Sequence, residues 1–254
     1  MTKKIDTPPL GDHVISGIDV SPVMGNYYVK YGGEPIREQL DFFQALGISH
    51  LFDRRVMMGA VFGNSILDVH NFDFSGYSNG SNNCNGYDGV MTRMRELPIM
   101  IGWSDCPEIL VAGETAVGIV HSTSKTLDQY ILDHFFEMFF ETEDPDKTKV
   151  AFSPYILPMD YFGNFEDLDR FNEWVKEGCV QSNNGQHHLD LGKMNRLDLL
   201  RLGLSRENIY DAQHNSYRMS RHSHKDGGYA ISHRHAANTP GSREGRGIVC
   251  IMLK

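Results

Sequence analysis

The sequence has no apolar run approaching the ~20 residues of a membrane span, and Met1–Pro9 carries charge and two prolines without a hydrophobic signal core. A cytoplasmic protein with no membrane partner is expected. Cysteine is scarce: Cys84, Cys106, Cys179 and Cys250 lie far apart and form no C-x-x-C pair, which argues against a zinc ribbon and a secreted disulfide framework. Free thiols are expected. Basic residues are also few, 24 Lys and Arg against 33 Asp and Glu for a net charge of −9. That balance argues against a general nucleic-acid binder, which needs a basic face for phosphates.

What is present marks a folded protein: 254 residues, 40% hydrophobic and 22% charged. A single domain of this length buries roughly 75% of its unfolded surface and needs no structural metal, so any metal site would be functional. Charge is uneven. Between His214 and Arg246, Arg218, Arg221, Lys225, Arg234, Arg243 and Arg246 outnumber Asp226 and Glu244; the segment either attracts a small anion or is a solvated loop.

Apolar spacing predicts a helix over Ile36–Leu46 that stops at Gly47. Further helices are expected over Leu127–Glu141, over Phe165–Glu177 after a capping Asn164, and over Leu191–Leu202 between Asp190 and Gly203. Strand-like runs cover Ile66–Val69, Gly89–Thr92, Ile99–Trp103, Ile109–Ala112, Val117–Val120, Val150–Ser153 and Ile248–Leu253. Strands and helices interleave without strict alternation. A single α+β domain with mixed sheet layers flanked by helices is therefore expected over residues 1–254. Asp73–Tyr87 holds ten Gly, Asn or Ser in fifteen residues and reads as a long loop.

The most informative stretch is SDCPEILVAGETAVGIVHSTSKT, Ser104–Thr126, which reads as strand, tight turn, strand and a polar entry into a helix. With Gly113 and Glu114 as a two-residue type II′ loop, Ala112 faces Thr115 and Cys106 falls opposite His121. Directly opposed residues have Cβ atoms ~4.5–5.5 Å apart, room enough for a zinc between sulfur and nitrogen. A small buried cysteine beside a hydrogen-bonded histidine fits the same pattern. Asp105 alternates to the other face and reads as structural. His233 and His235 share a face, as a metal or phosphate pair or as exposed histidines.

The order of motifs resembles the laccase-domain family, called YfiH-like and described variously as polyphenol oxidase or purine nucleoside phosphorylase. That family carries a Q-V-H-G-like histidine, an A-D-A-L-V-T-like strand, an A-D-C-x-P-V-L-L-like cysteine and an H-A-G-W-R-G-like histidine. G-P-x-I-G-P, L-D-L…N…L and S-Y-R-R…T-G-R follow. The corresponding text here is DVHN around His70, YDGVMT from Tyr87, SDCPEILV around Cys106 and HSTSKT from His121. FSPYILPMDYFG from Phe152, HLDLGKMNRLDLLRLGL from His188 and SHRHAANTPGSREGRGIVCIML from Ser232 complete the series. The resemblance is clearest over residues 60–254. There are departures: G-W-R-G has become Thr123, Ser124, Lys125 and Thr126, and S-Y-R-R appears as Ser232, His233, Arg234 and His235.

The resemblance implies a YfiH-like sandwich and a zinc, with copper as the alternative, held by His70, Cys106 and His121. Three protein ligands leave an open position that acidifies water or polarises a substrate oxygen. The implied substrates are a purine nucleoside and phosphate, with phosphorolysis first and adenosine deamination second. Catalytic roles fall to His70, Cys106, His121 and Lys125. Ser122, Thr126, Arg234 and Arg246 are expected at the phosphate, near a helix start whose free N–H groups favour an anion. A copper-dependent polyphenol oxidase, an enzyme editing peptidoglycan precursors and a non-catalytic metal-binding homologue are the other readings. The sequence sets no oligomeric state.

Overall fold

Two large sheets lie face to face with helices on both outer sides. The computed structural model describes residues 4–5, 10–12, 14–24, 34–69, 82–218, 229–230, 232–238 and 243–254. The first sheet combines β1 (Lys4–Ile5), β2 (Val14–Met24), β3 (Val56–Gly59), β5 (Asn82–Asn85), β7 (Ile99–Trp103) and β16 (Arg243–Leu253) in the order β1-β2-β16-β7-β3-β5. A short β15 (Tyr229–Ala230) pairs beside β16. The second combines β4 (Ile66–Asp68), β6 (Gly89–Thr92), β8 (Glu108–Ala112), β9 (Val117–His121), β10 (Lys149–Phe152) and β14 (Ile209–Tyr210) in the order β14-β10-β8-β9-β6-β4. Both contain parallel and antiparallel pairs, as mixed sheets of an α+β domain do. A third, small sheet is β11 (Phe162–Gly163), β13 (Gln186–Leu189) and β12 (Val180–Asn183).

Strand alternation sorts the core into three layers. In β16, Val249, Ile251 and Leu253 point between the sheets, whereas Ile248, Cys250 and Met252 pack under α1 (Glu34–Ala45) with Phe42 and Phe43. In β8, Leu110 and Ala112 face the first sheet, and Ile109 and Val111 face the helices. Those helices are α2 (Ser124–Asp128), α3 (Ile131–Phe139), α4 (Phe171–Lys176) and α5 (Leu191–Arg201). Phe135 of α3 lies directly on the sheet because β6 and β9 place Gly89 and Gly118 beneath it. A Cβ on Gly118 would come within 2.5 Å of the Phe135 ring.

The expected Leu127–Glu141 helix is two helices. Tyr130 adopts a left-handed φ of 57° between α2 and α3, and Arg170 binds the last turn of α2 through its guanidinium on the Leu127 carbonyl and its N–H on Asp128. The expected Phe165–Glu177 helix is helical only as α4, with Arg170 rather than Asn164 at its start. The α5 cap is as expected: Asp190 accepts from the Lys193 N–H at 2.8 Å. The Gly- and Asn-rich loop is interrupted by β5, whose Cys84 is buried between the sheets. The histidine-bearing segment after Ser232 is the helix α6 (His233–Asn238), not an extended face, and His233 is exposed. No helix among the described residues is long and apolar enough to cross a membrane.

Candidate active site

The β8–β9 hairpin sets the site, and its register differs from the expected one by two residues. Ala112 pairs with Val117 and Glu108 with His121, so the connection is Gly113–Ala116 and Gly113 has no left-handed φ. Glycine is required there for space: a Cβ would lie 2.1 Å from Glu143 Oε2. The Glu143 carboxylate fills the turn, accepting from the Glu114 and Thr115 N–H groups at 2.5 and 3.0 Å. A shift of two preserves side-chain parity, so Cys106, in the bend before β8, still approaches His121. The residue directly opposite is instead Glu108, which the sequence reading did not select.

Glu108 is fully buried, and its Oε1 lies 2.7 Å from His121 Nδ1. A buried carboxylate fixes the imidazole's orientation and favours a proton on Nδ1. The other ring nitrogen, Nε2, is buried and makes no hydrogen bond among the described residues. Burial opposes charge on this ring, but the Glu108 carboxylate and then the Cys106 thiol outweigh it, holding the imidazole well above its ordinary pKa. Cys106 is partly exposed, whereas Cys84, Cys179 and Cys250 are buried. Burial pushes the Cys84 thiol up to about 11 and the Cys179 thiol up to about 12.

Beside Cys106, Tyr161 shares a hydrogen bond with Ser124 Oγ at 2.9 Å. Burial and then the neighbouring Cys106 push its phenol up to about 12, so it stays protonated. Arg234 lies over the Tyr161 ring, 4.6 Å from its centroid, and donates to the Phe162 carbonyl at 2.6 Å. Asp105 anchors this wall: it accepts from Ser216 Oγ at 3.0 Å and from the Arg234 N–H at 2.9 Å.

The opposite wall is the loop that crosses from β3 to β4. Buried Asp88 accepts from the N–H groups of Val61, Phe62 and Gly63 at 3.2, 2.9 and 2.8 Å. The loop is thereby held with Phe62 at a left-handed φ of 62°, a conformation that costs a side-chain-bearing residue about 1–2 kcal/mol. The Phe62 ring meets the His121 ring edge to face at 5.4 Å between centroids, and 52% of Phe62 remains exposed.

Ser122 and Thr126 adjoin His121, whose carbonyl accepts from Thr126 Oγ1 at 3.1 Å. His70 lies outside the described residues. In β4, Ile66 is level with Val120 and Asp68 with Gly118. Three residues separate Gly118 from His121, about 10 Å at 3.3 Å per residue. Phe62, in the loop before β4, packs on the flank of His121. Ala60–Gly63 reads A-V-F-G, which shares its valine and glycine with a Q-V-H-G-like motif.

Ser122 is fully buried and donates to Asn195 Oδ1 at 2.7 Å. Thr123 and Thr126 close a reciprocal capping box at the start of α2, which satisfies N–H groups expected to face an anion. Ser122 and Thr126 thus have internal hydrogen-bond partners. Lys125 is exposed on α2. Arg246 is in β16, paired with Val23, and its side chain lies outside the described set. Of the expected residues, Cys106, His121 and Arg234 converge, joined by Glu108, Tyr161 and Phe62.

A family model described as multi-copper polyphenol oxidoreductase laccase matches residues 36–254. No curated protein matches the sequence. Among solved structures, YlmD from Geobacillus stearothermophilus aligns at a TM-score of 0.77 and 20% identity, covering 97% of this chain and 94% of that one. The Bacillus licheniformis hypothetical protein YfiH aligns at 0.79 and 18% identity, with 95% and 93% covered. A Neisseria meningitidis protein aligns at 0.74 and 17% identity, with 100% and 99% covered. At these identities the structural likeness shows the fold, and the family model shows the kinship. The chain belongs to the multi-copper polyphenol oxidoreductase laccase family and carries the YfiH-like α+β sandwich.

Proposed function

We propose that the chain is an enzyme acting on purine nucleosides at the centre formed by Cys106, His121 and Glu108. The observation that carries this reading is the His121 ring, clamped at Nδ1 by a buried carboxylate, with its buried Nε2 making no hydrogen bond among the described residues and Cys106 beside it. A histidine held this way is suited to moving a proton or to binding a metal. The purine nucleoside itself comes from the family resemblance.

Zinc or copper, if bound, would supply a Lewis acid or a redox centre there. Cys106 and His121 are suitable donors, and Glu108 is the outer partner a ligating histidine needs. They are two, however, and a catalytic zinc takes three protein ligands. The described residues contain no group of three His, Cys, Asp or Glu that could hold a metal, and Phe62 stands on the flank of His121. The described donor set does not fit the metal.

Two reactions follow from the resemblance, and the geometry supports base deamination over phosphorolysis. The capping box occupies the Thr123 and Thr126 N–H groups, and Ser122 Oγ is bonded to Asn195, which leaves fewer donors for a phosphate there. Arg234 is left as the basic group beside Cys106 and Tyr161. If phosphate binds the site it stabilises the fold by mass action. The Arg234→Ala protein is expected to lose any phosphate-dependent rise in melting temperature, and the Lys125→Ala protein to keep it. The opposite pattern moves the anion to α2.

Incubation of the protein with adenosine and with inosine, with and without phosphate, followed by chromatography, tests the reaction. Conversion of adenosine to inosine regardless of phosphate is expected. Hypoxanthine formed only with phosphate restores phosphorolysis as the activity. No turnover of either nucleoside by folded protein removes the assignment.

A further inference from the structure

The Phe62 ring meets His121 at about the separation that two imidazoles sharing a metal would have. Two imidazoles on one tetrahedral zinc, each with its centroid ~3.1 Å from the ion, have centroids ~5 Å apart; the Phe62 and His121 centroids are 5.4 Å apart. Asp88 fixes the loop in that position against the cost of its left-handed backbone. A carbon ring cannot ligate. Among the described residues, the groups at the site are a partly exposed thiol, an imidazole with a buried nitrogen that makes no hydrogen bond, and a buried carboxylate on the imidazole's far side. This is the order of nucleophile, base and orienting group in thiol enzymes.

We propose that this chain uses thiol chemistry at the family's metal position. Cys106 is the nucleophile, His121 accepts its proton, Glu108 holds the ring, and Phe62 forms an aromatic wall for a planar substrate. The substrate class, a ring carbon bonded to an amino group and a ring nitrogen as at C6 of adenosine, rests on the proposed function. The thiol adds across the C6–N1 double bond, sulfur to carbon and its proton through His121 to nitrogen. The C6–amino bond breaks, and ammonia leaves with that proton. Water adds at the same carbon and the thiol departs. Adenosine and water thus become inosine and ammonia, with no oxidant or reductant.

The test reads the thiol and the metal without relying on turnover. Iodoacetamide applied to the native protein is expected to modify Cys106 ahead of the buried Cys84, Cys179 and Cys250, as mapped by mass spectrometry. Glu108→Gln and His121→Ala are each expected to slow that modification about tenfold or more at neutral pH. Protein equilibrated with zinc and desalted should retain well under one zinc per chain, whereas the Phe62→His protein should retain about one. Phe62 is half exposed, so that exchange leaves the core intact. Stoichiometric zinc in the wild-type protein, with Cys106 shielded until a chelator is added, overturns the proposal. Unchanged alkylation in both slow-reacting variants also overturns it. Fast alkylation that needs His121, without adenosine turnover, supports the thiol centre and defeats only the substrate reading.

Discussion

His121→Ala is expected to lower nucleoside turnover per folded molecule by ~10²-fold or more, the size of a lost general base. The ring is the one group that touches both Glu108 and the thiol region. Glu108 Oε1 holds it at 2.7 Å on one side, and its Nε2 is buried without a hydrogen bond among the described residues on the other. A histidine serving only the core would lower stability on removal, while the surviving folded fraction kept its rate. The measurement is therefore turnover beside a thermal melt of the same preparation. Glu108→Gln separates the roles further. An amide preserves shape and bonding capacity but removes the charge that favours the imidazolium, so kcat should fall more than KM rises. Normal turnover per folded molecule in both variants would make the pair structural.

The strands were legible where one face of a short run had to be buried. Gly89–Thr92 and Ile99–Trp103 have the bounds their apolar content suggests, and Ile248–Leu253 is the buried end of the longer β16. β5 was hidden because three asparagines surround its single buried Cys84. The β12–β13 hairpin carried a clear signal that composition masked. Asn184 and Gly185 have φ of 51° and 77°, the positive pair that Asn-Gly supplies in a two-residue turn. Helix ends set by local capping, such as Asp190, were readable. The break at Tyr130 was not, because Arg170, 40 residues away in sequence, stabilises it.

The site was legible in its parity and not in its register. Cys106 and His121 come together because a two-residue slip keeps every side chain on its face, but the longer turn gives the place opposite His121 to Glu108. That turn length depends on Glu143, a contact invisible in the hairpin's own sequence. His70 lies outside the described residues. Phe62 was missed because a search for ligands passes over a phenylalanine. Only the positive φ and the contact with His121 reveal it.

Arg170→Ala should cost about 3–5 kcal/mol of stability, the size expected when one partner of a buried ion pair is removed. Arg170 is 3% exposed and meets Asp198, equally buried, through two bonds of 2.8 Å. Its guanidinium also donates to the Leu127 carbonyl and to Glu173 and lies over Tyr130 and Trp174. It thus ties α2, α4 and α5 together behind the site. Removing it leaves the Asp198 carboxylate in the interior with Arg201, at 3.2 Å, as its remaining cationic partner. At roughly 2–4 °C per kcal/mol for a chain of this size, the melting temperature should fall by about 6–20 °C. Replacing both partners, Arg170→Met with Asp198→Leu, should recover much of the loss, because the stranded charge is the main cost. The effect depends on pH in a definite sense. The Arg170 hydrogen bond holds Glu173 below the ordinary carboxylate range, and Asp133 is held low by Arg201 despite opposing burial. Stability from these groups is present above their unfolded pKa values and is lost as pH falls through the lower folded ones. The gap between wild type and variant should therefore be widest near neutrality and narrow in acid. Melts of both proteins from neutral to acidic pH check this, and a gap under about 2 °C at neutrality would show that the network contributes little stability. Turnover per folded molecule should stay near normal in Arg170→Ala, since its guanidinium acts on α2 from behind, whereas the His121 variant is expected to keep its fold and lose its rate.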